Sequence, residues 1–478
     1  MIYLALAIVH GALVFGFTMR ILLRDDLSPP ARLAWFVVIN LAPYFGVLIY
    51  FLFGEIDLGQ KARKRHDEIF AMIRAHAAPY MGRCEDVNTL IDPLYRPAFL
   101  YGGSINGFYP MGGNRAELLE DAAAFATRLV ADIDAAQTHV HVLYYIWLED
   151  QTGTEVARAL TRAAQRGVTC RAIADGLGSR GLIRSRLWKD MKVAGVDLAV
   201  AFPLDNPFLT MLTSRIDLRN HRKITVIDGH ITYCGSQNSA DPEFHIKPRY
   251  APWVDIMMRF EGPVVAQNQL LFASDWMQAR GEILDGIELK AQPVEGGFPA
   301  QVVGDGPTER RSATPQLFTT LIASARQEMI LTTPYFVPDA TVLDALIAAA
   351  HRGVRVGLVF PKKNDSWIVA AASRSYYRRL LEAGCVIHEF TGGLLHAKTL
   401  TIDGRVALIG SSNLDLRSFE LNYENNILFQ DETLTDEIRT RQASYIAQSE
   451  AVSSQEVAQW PFYVCIWNNA VATVGPIL

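Results

Sequence analysis

Only five of the 478 residues are cysteine (Cys84, Cys170, Cys234, Cys385 and Cys465). An odd, scattered set excludes a disulfide framework and points to a reducing compartment. A basic surplus is missing too. The chain carries 45 Lys and Arg against 50 Asp and Glu, a formal charge of -5, which argues against a nucleic-acid binder. No H-E-x-x-H, C-x-x-C, G-x-x-x-x-G-K-[ST] or G-x-S-x-G occurs, so zinc-peptidase, thiol–disulfide, P-loop and serine-hydrolase chemistries lack their motifs. His139 and His141 share a strand face but have no third ligand nearby. No metal or other cofactor is implied.

Formal charge is absent altogether from residues 1–19 and 33–54. Each stretch is about long enough to cross a hydrocarbon core of roughly 30 Å as a helix. Between them lies a polar turn with Arg20, Arg24, Asp25, Asp26, Ser28-Pro29-Pro30 and Arg32. The first stretch lacks the basic start and small-residue cleavage site of a signal peptide, so a two-helix transmembrane hairpin over residues 1–56 is expected, with spans at about 1–23 and 33–54. Lys61, Arg63, Lys64 and Arg65 after the second span, against three arginines in the turn, favour a body on the cytoplasmic side and suit anionic lipid headgroups. Residues 57–109 read as a linker and entry segment.

Beyond it the pattern alternates strands and helices, and does so twice. Residues 139–147 read as a strand, 153–165 as a helix and 168–173 as a strand; residues 329–333, 340–351 and 354–360 repeat the order. The expected fold class is α/β: two similar halves, 110–285 and 290–478, with helices between the strands of a parallel or mixed sheet.

Each half then writes the same short sentence, His221-Arg-Lys223-Ile-Thr-Val-Ile-Asp228 and His396-Ala-Lys398-Thr-Leu-Thr-Ile-Asp403. Both read H-x-K-x4-D and run into Gly235-Ser-Gln-Asn238 and Gly410-Ser-Ser-Asn413. The β-branched runs place each motif on a strand, where side chains alternate faces. His221 and Lys223 share one face, His396 and Lys398 another, while Asp228 and Asp403 fall on the opposite side. That parity gives the aspartates a supporting role within the catalytic set. Imidazole beside ammonium, twice over, suits a phosphoryl group. Lys223 and Lys398 offer charge for the non-bridging oxygens, and Asn238 and Asn413 donate further hydrogen bonds. One histidine would act as nucleophile and the other as general acid and base. Each needs its second nitrogen held by an acceptor. Trp253-Val-Asp255 aligns with Asn422-Tyr-Glu424, making Asp255 and Glu424 the candidate orienters, 34 and 28 residues past their histidines. Tyr145, Trp147, Tyr335, Phe336 and Trp367 are candidates to shield a reactive intermediate from water.

The doubled H-x-K-x4-D with its G-S-x-N turn resembles the phospholipase D superfamily. With the apolar N-terminus ending Leu52-Phe-Gly-Glu55, with Tyr144-Tyr-Ile-Trp147, and with the run from Gly410 to Glu424, the chain is similar to the bacterial cardiolipin synthases of that superfamily. The resemblance implies a duplicated fold around one shared active site and a membrane-bound transferase. In it phosphatidylglycerol is attacked at phosphorus, glycerol leaves, and a second phosphatidylglycerol accepts the phosphatidyl group. It further implies His221 as nucleophile, through a covalent phosphohistidine, and His396 as general acid and base. The alternatives are hydrolysis, or transfer to another alcohol. The metal-dependent D-G-x-x-A-R signature is not matched, since Asp403-Gly-Arg-Val-Ala-Leu ends in leucine.

Overall fold

The computed structural model describes residues 2–25, 27–54, 59–204, 217–282, 284, 287–290 and 292–473. The boundaries expected at 56/57 and 285 fall outside these residues. Two units are distinct, one formed by the N-terminal residues up to Gly59 and one by the body.

In the N-terminal unit, Ile2–Leu22 is one helix. The second apolar stretch is not. Proline has no N–H and its ring clashes with the preceding turn, so the chain breaks at Ala42. Two short helices, Pro29–Leu41 and Pro43–Ile49, are followed by a wide turn at Tyr50–Gly54. Ser28 caps the first of them through its hydroxyl. Ile21, Ile39 and Tyr50 form a small core, with Trp35 edge-on to Tyr50 at 5.1 Å. Among the described residues no helix is long and apolar enough to cross a membrane, so the described helices do not meet the expectation of a transmembrane hairpin.

The body is built on one long mixed sheet. Its centre is an antiparallel seam between Met111–Leu118 and Phe298–Asp305, with Met111 opposite Ala300. From the seam outward the first half runs Met257–Glu261, Ile231–Gly235, Lys223–Ile227, His139–Tyr144, Thr169–Asp175 and Asp197–Ala201. The second half runs Asn422–Gln430, Val406–Gly410, Thr399–Ile402, Glu328–Thr332, Arg355–Pro361 and Val386–Phe390, with Ser449–Val452 added at its edge. The two lists correspond strand for strand. In each half the H-x-K strand lies antiparallel to the first strand of a parallel trio, and helices such as Gln151–Gln165 and Ala340–His351 make the crossovers.

Residues 59–109 are not a linker. Within the helix Gly59–Ala77, Ile69, Phe70, Ile73 and Ala77 recur at helical spacing and are buried beside Trp276. The helix Arg96–Asn106 buries Phe99, and Tyr95 just before it, against the second half.

Two short strand pairings join the halves to each other. Arg219–Asn220 runs parallel to Asn422–Tyr423, and Leu394–Leu395 runs parallel to Trp253–Val254. Arg222 adds a buried link, bonding Asp275 at 2.7 Å, the Glu424 carbonyl at 3.0 Å and the Asp305 carbonyl at 3.1 Å.

Candidate active site

Each histidine follows directly on one of these cross-half pairings. Asn220 lies opposite Tyr423, so His221 comes level with Glu424; Leu395 lies opposite Val254, so His396 comes level with Asp255. The histidine N–H groups continue the ladders, to the Tyr423 carbonyl at 2.9 Å and the Val254 carbonyl at 2.8 Å. His221 Nδ1 then meets Glu424 Oε2 at 2.9 Å, and His396 Nδ1 meets Asp255 Oδ1 at 2.6 Å. Each orienting acid therefore serves the histidine of the other half, not the one 34 or 28 residues before it in its own. Parallel pairing across the domain boundary is the cause, and no spacing within one half reveals it.

The serines of the two G-S-x-N turns, absent from the expected site, hold these acids. Ser236 Oγ donates to Asp255 Oδ1 at 2.5 Å and accepts from Ile256 N–H at 3.1 Å. Ser411 donates to Glu424 and accepts from Asn425 N–H at 2.9 Å. Glu424 gains Ser418 and Asn422 as further donors. The sequence does carry a signal for the two turn serines: both copies of the motif have Ser at the same position.

Both histidines line a cavity of about 680 Å³, together with Asn238, Asn413, Tyr145 and Tyr335. With Nδ1 occupied, Nε2 is the ring nitrogen left for a substrate. Tyr145 stands edge-on over His221 at 4.9 Å, and Trp253 packs on His396 at 4.5 Å. Asn238 Oδ1 accepts from Ile146 N–H, which turns its amide N–H groups elsewhere. Asn413 Oδ1 is buried without a hydrogen-bond partner. Of the expected shielding residues, Tyr145 and Tyr335 reach the cavity; Trp147 and Phe336 are core, and Trp367 is exposed. Arg219 and Arg417, which lie outside the motifs, add positive charge to the wall.

The lysines are placed otherwise than expected. Lys223 and Lys398 are buried and do not form part of the cavity wall. Each ammonium donates to the carbonyl of its own histidine at 2.6 Å, leaving two N–H groups per lysine. Burial pulls Lys223 down to about 8 and Lys398 to about 7, so these charges stand behind the histidines at the edge of their protonated range.

Burial also lowers both imidazoles, with the lysine ammoniums acting the same way and the carboxylates opposing; His221 falls to about 4. For Asp255 burial works upward, but His396, Lys398 and Ser236 outweigh it and leave the group at about 2. Glu424 is lowered by the same balance, with His221, Lys223 and Ser411 outweighing burial. Enclosure in low-dielectric protein thus favours the neutral form of both imidazoles, while their partners favour the ionised form of both carboxylates.

The motif aspartates are not part of the cavity wall. Asp228 sits at a positive φ of 52° in the turn after its strand, and its carboxylate accepts the N–H groups of Gln137, Thr138 and His139 at 2.7–2.9 Å. Asp403 is its counterpart, with the same φ and with Arg326, Gln327 and Glu328 as donors. Each anchors a turn to the start of the neighbouring strand. Asparagine tolerates this backbone conformation, so Asp228→Asn removes acceptor strength while keeping the turn. The expected result is a loss of about 1–3 kcal/mol in chemical denaturation, with turnover of the folded enzyme within about twofold. A large loss of turnover at unchanged stability would overturn the assignment.

His139 and His141 lie apart from the cavity. They contact Gln269 and Arg171, and His141 stacks on Phe272 at 4.7 Å. Among the described residues no group of three or more His, Cys, Asp or Glu is placed to hold a metal ion.

A family model described as "Cardiolipin synthase, PLD-like domain" matches residues 129–250 and 318–445, and one described as "Phospholipase_D-nuclease N-terminal" matches residues 12–55. Cardiolipin synthase A of Serratia proteamaculans (strain 568) is 34% identical over 474 residues, covering 98% of this chain and 97% of the relative. Cardiolipin synthase A of Edwardsiella ictaluri (strain 93-146) is 33% identical over 478 residues, covering 98% and 97%. Among solved structures, the phosphatidylserine synthase of Haemophilus influenzae Rd KW20 superposes with a TM-score of 0.56 at 16% identity, over 76% of this chain and 95% of its own. That likeness is one of fold.

Proposed function

The chain belongs to the phospholipase D-like cardiolipin synthase family, and from that premise we propose that it joins two phosphatidylglycerols into cardiolipin, releasing glycerol. The observation that carries the reading is the pair of histidines, each held at Nδ1 by a carboxylate from the opposite half, on one cavity. His221 Nε2 attacks the phosphorus of the first phosphatidylglycerol. The bond from phosphorus to the glycerol oxygen breaks, and protonated His396 supplies the proton that oxygen takes. The phosphatidyl group is then covalently held on His221. His396, now neutral, removes a proton from the primary hydroxyl of a second phosphatidylglycerol. That oxygen attacks phosphorus, the P–N bond breaks, and cardiolipin leaves. Glu424 keeps His221 in the tautomer with Nε2 free, and Asp255 stabilises the His396 imidazolium. Purified enzyme given phosphatidylglycerol alone is expected to form cardiolipin and glycerol in equal amounts. Phosphatidic acid as the sole product would make it a hydrolase instead.

The shifted imidazoles set a pH signature. His221 must be neutral, so kcat/KM falls as pH drops through about 4, not through the ordinary imidazole value of about 6.5. His396 must begin protonated and is also lowered, so the alkaline limb of kcat/KM starts below about 6.5. A bound phosphodiester anion favours the imidazolium, which moves the alkaline limb of kcat upward. The same depressed values mean that the imidazoles' contribution to folding stability is full above about pH 6.5 and declines as pH falls toward 4, so each rate is taken where circular dichroism shows the fold intact. An acid limb at 6.5 would exclude a buried, neutral His221.

The N-terminal unit attaches the enzyme to the membrane, with the body on the cytoplasmic side. Tyr3, Phe15, Leu23, Leu41 and Phe45 are large, apolar and more than 60% exposed there, which suits lipid and not water. The protein is expected to stay with membranes through an alkaline carbonate wash and to need detergent for release. Release by the wash alone would refute attachment by burial in lipid.

A further inference from the structure

Trp367, expected to shield the site, faces outward. It is 62% exposed and stacks on Trp467, ring centroids 5.7 Å apart. Trp467 belongs to the C-terminal helix Phe462–Thr473, which packs along the helix Trp367–Arg374. Phe462, Tyr463 and Ile466 are exposed on the same helix. Beyond residue 59 nine large apolar side chains are exposed among the described residues, and these five are the majority. Two more, Leu177 and Ile246, line the cavity. Ser366 and Val369, at the start of the Trp367 helix, line it as well. Exposed apolar surface is thus gathered beside one opening, instead of being scattered singly as on an ordinary soluble surface.

We propose that this aromatic ridge and the apolar cavity lip form a membrane-docking face of the catalytic body, which rests in the lipid interface with the cavity opening onto the headgroups. The inference rests on the phosphatidylglycerol reading, and the size of the cavity selects lipid as the occupant. About 680 Å³ encloses a drug-sized molecule, which is enough for the reacting headgroups and phosphates. Four acyl chains from two substrates do not fit, so they must remain in an apolar phase that touches the lip. Trp and Tyr favour that interface, where a ring meets chains while its polar edge meets water. The segment around Ile246 adds exposed His245, Lys247 and Arg249, a charge pattern suited to anionic headgroups; Lys247 also pairs with Asp365 at 2.7 Å across the mouth.

The test uses full-length enzyme in vesicles of phosphatidylglycerol brominated on its acyl chains, since bromine quenches tryptophans in contact with the chains. Wild type is expected to lose a larger fraction of its emission than a W367F/W467F variant. Equal fractional quenching would overturn the docking face, whatever reaction the enzyme performs. A second variant, F462E/I466E, alters exposed positions that the fold does not need. It is expected to make cardiolipin at least tenfold more slowly from phosphatidylglycerol vesicles and within twofold of wild type from monomeric short-chain phosphatidylglycerol. An unchanged vesicle rate, or equal loss on both substrates, would also overturn it. Wild type that makes cardiolipin from neither substrate would defeat the proposed reaction, and quenching would still decide the face.

Discussion

His221→Ala is expected to lower cardiolipin formation by about 10⁴-fold or more, because it removes the group that carries the phosphatidyl group between donor and acceptor. His396→Ala should cost a comparable factor with the natural substrate, for a different reason: the leaving glycerol oxygen finds no proton. The two losses separate with an aryl phosphodiester, whose phenolate departs unprotonated. His396→Ala is then expected to release a burst of about one phenolate per enzyme and to retain label on His221 after an alkaline denaturing quench, in which the P–N bond survives. His221→Ala should give no burst. A burst from His221→Ala, with label on His396, would reverse the roles. Both side chains face the cavity but hydrogen-bond buried carboxylates, so each variant is expected to fold and to melt somewhat lower through the acid left unpaired.

Glu424→Gln is expected to cost about 10³ to 10⁴-fold, the order seen when a histidine's orienting carboxylate becomes an amide. The amide leaves Glu424's place filled but presents the wrong hydrogen-bonding partner to Nδ1. Because the acids cross between halves, Glu424→Gln should abolish the aryl-phosphodiester burst, just as loss of His221 does. Asp255→Asn should preserve the burst and fail only at steps that need His396. Nitrogen-15 spectra of the imidazoles provide a second readout. Each carboxylate raises its own histidine, so Glu424→Gln should push the His221 titration lower still and leave His396 nearly in place. A shift of His396 in Glu424→Gln would refute the crossed arrangement.

Much of the machine is legible along the chain because its information is local and repeated. His221-x-Lys223 and His396-x-Lys398 are two residues apart on strands, and period-two alternation alone sets them on one face and turns Asp228 and Asp403 away. The α/β order shows in β-branched runs separated by helical spacing, and its recurrence reveals the duplication. Asn238 and Asn413 stand at equal distances from their histidines. These are properties of a chain read a few residues at a time.

Tertiary structure decided what depends on contacts between distant residues. Which acid meets which histidine was settled by two-residue parallel pairings between halves, Asn220 with Tyr423 and Leu395 with Val254, across 203 and 141 residues of chain. Burial of Lys223 and Lys398, and burial of the two imidazoles that lowers them, needed the whole sheet to close around them. Residues 59–109 became part of the core because partners for Ile69, Phe70 and Phe99 arrive from far along the chain. The doubled motif by itself pointed to phosphoryl chemistry by writing imidazole, ammonium and amide twice at the same spacing. Only the fold brought the two histidines onto one cavity, each with the other half's acid, because pairing across halves is a matter of packing and leaves no periodic trace in either half.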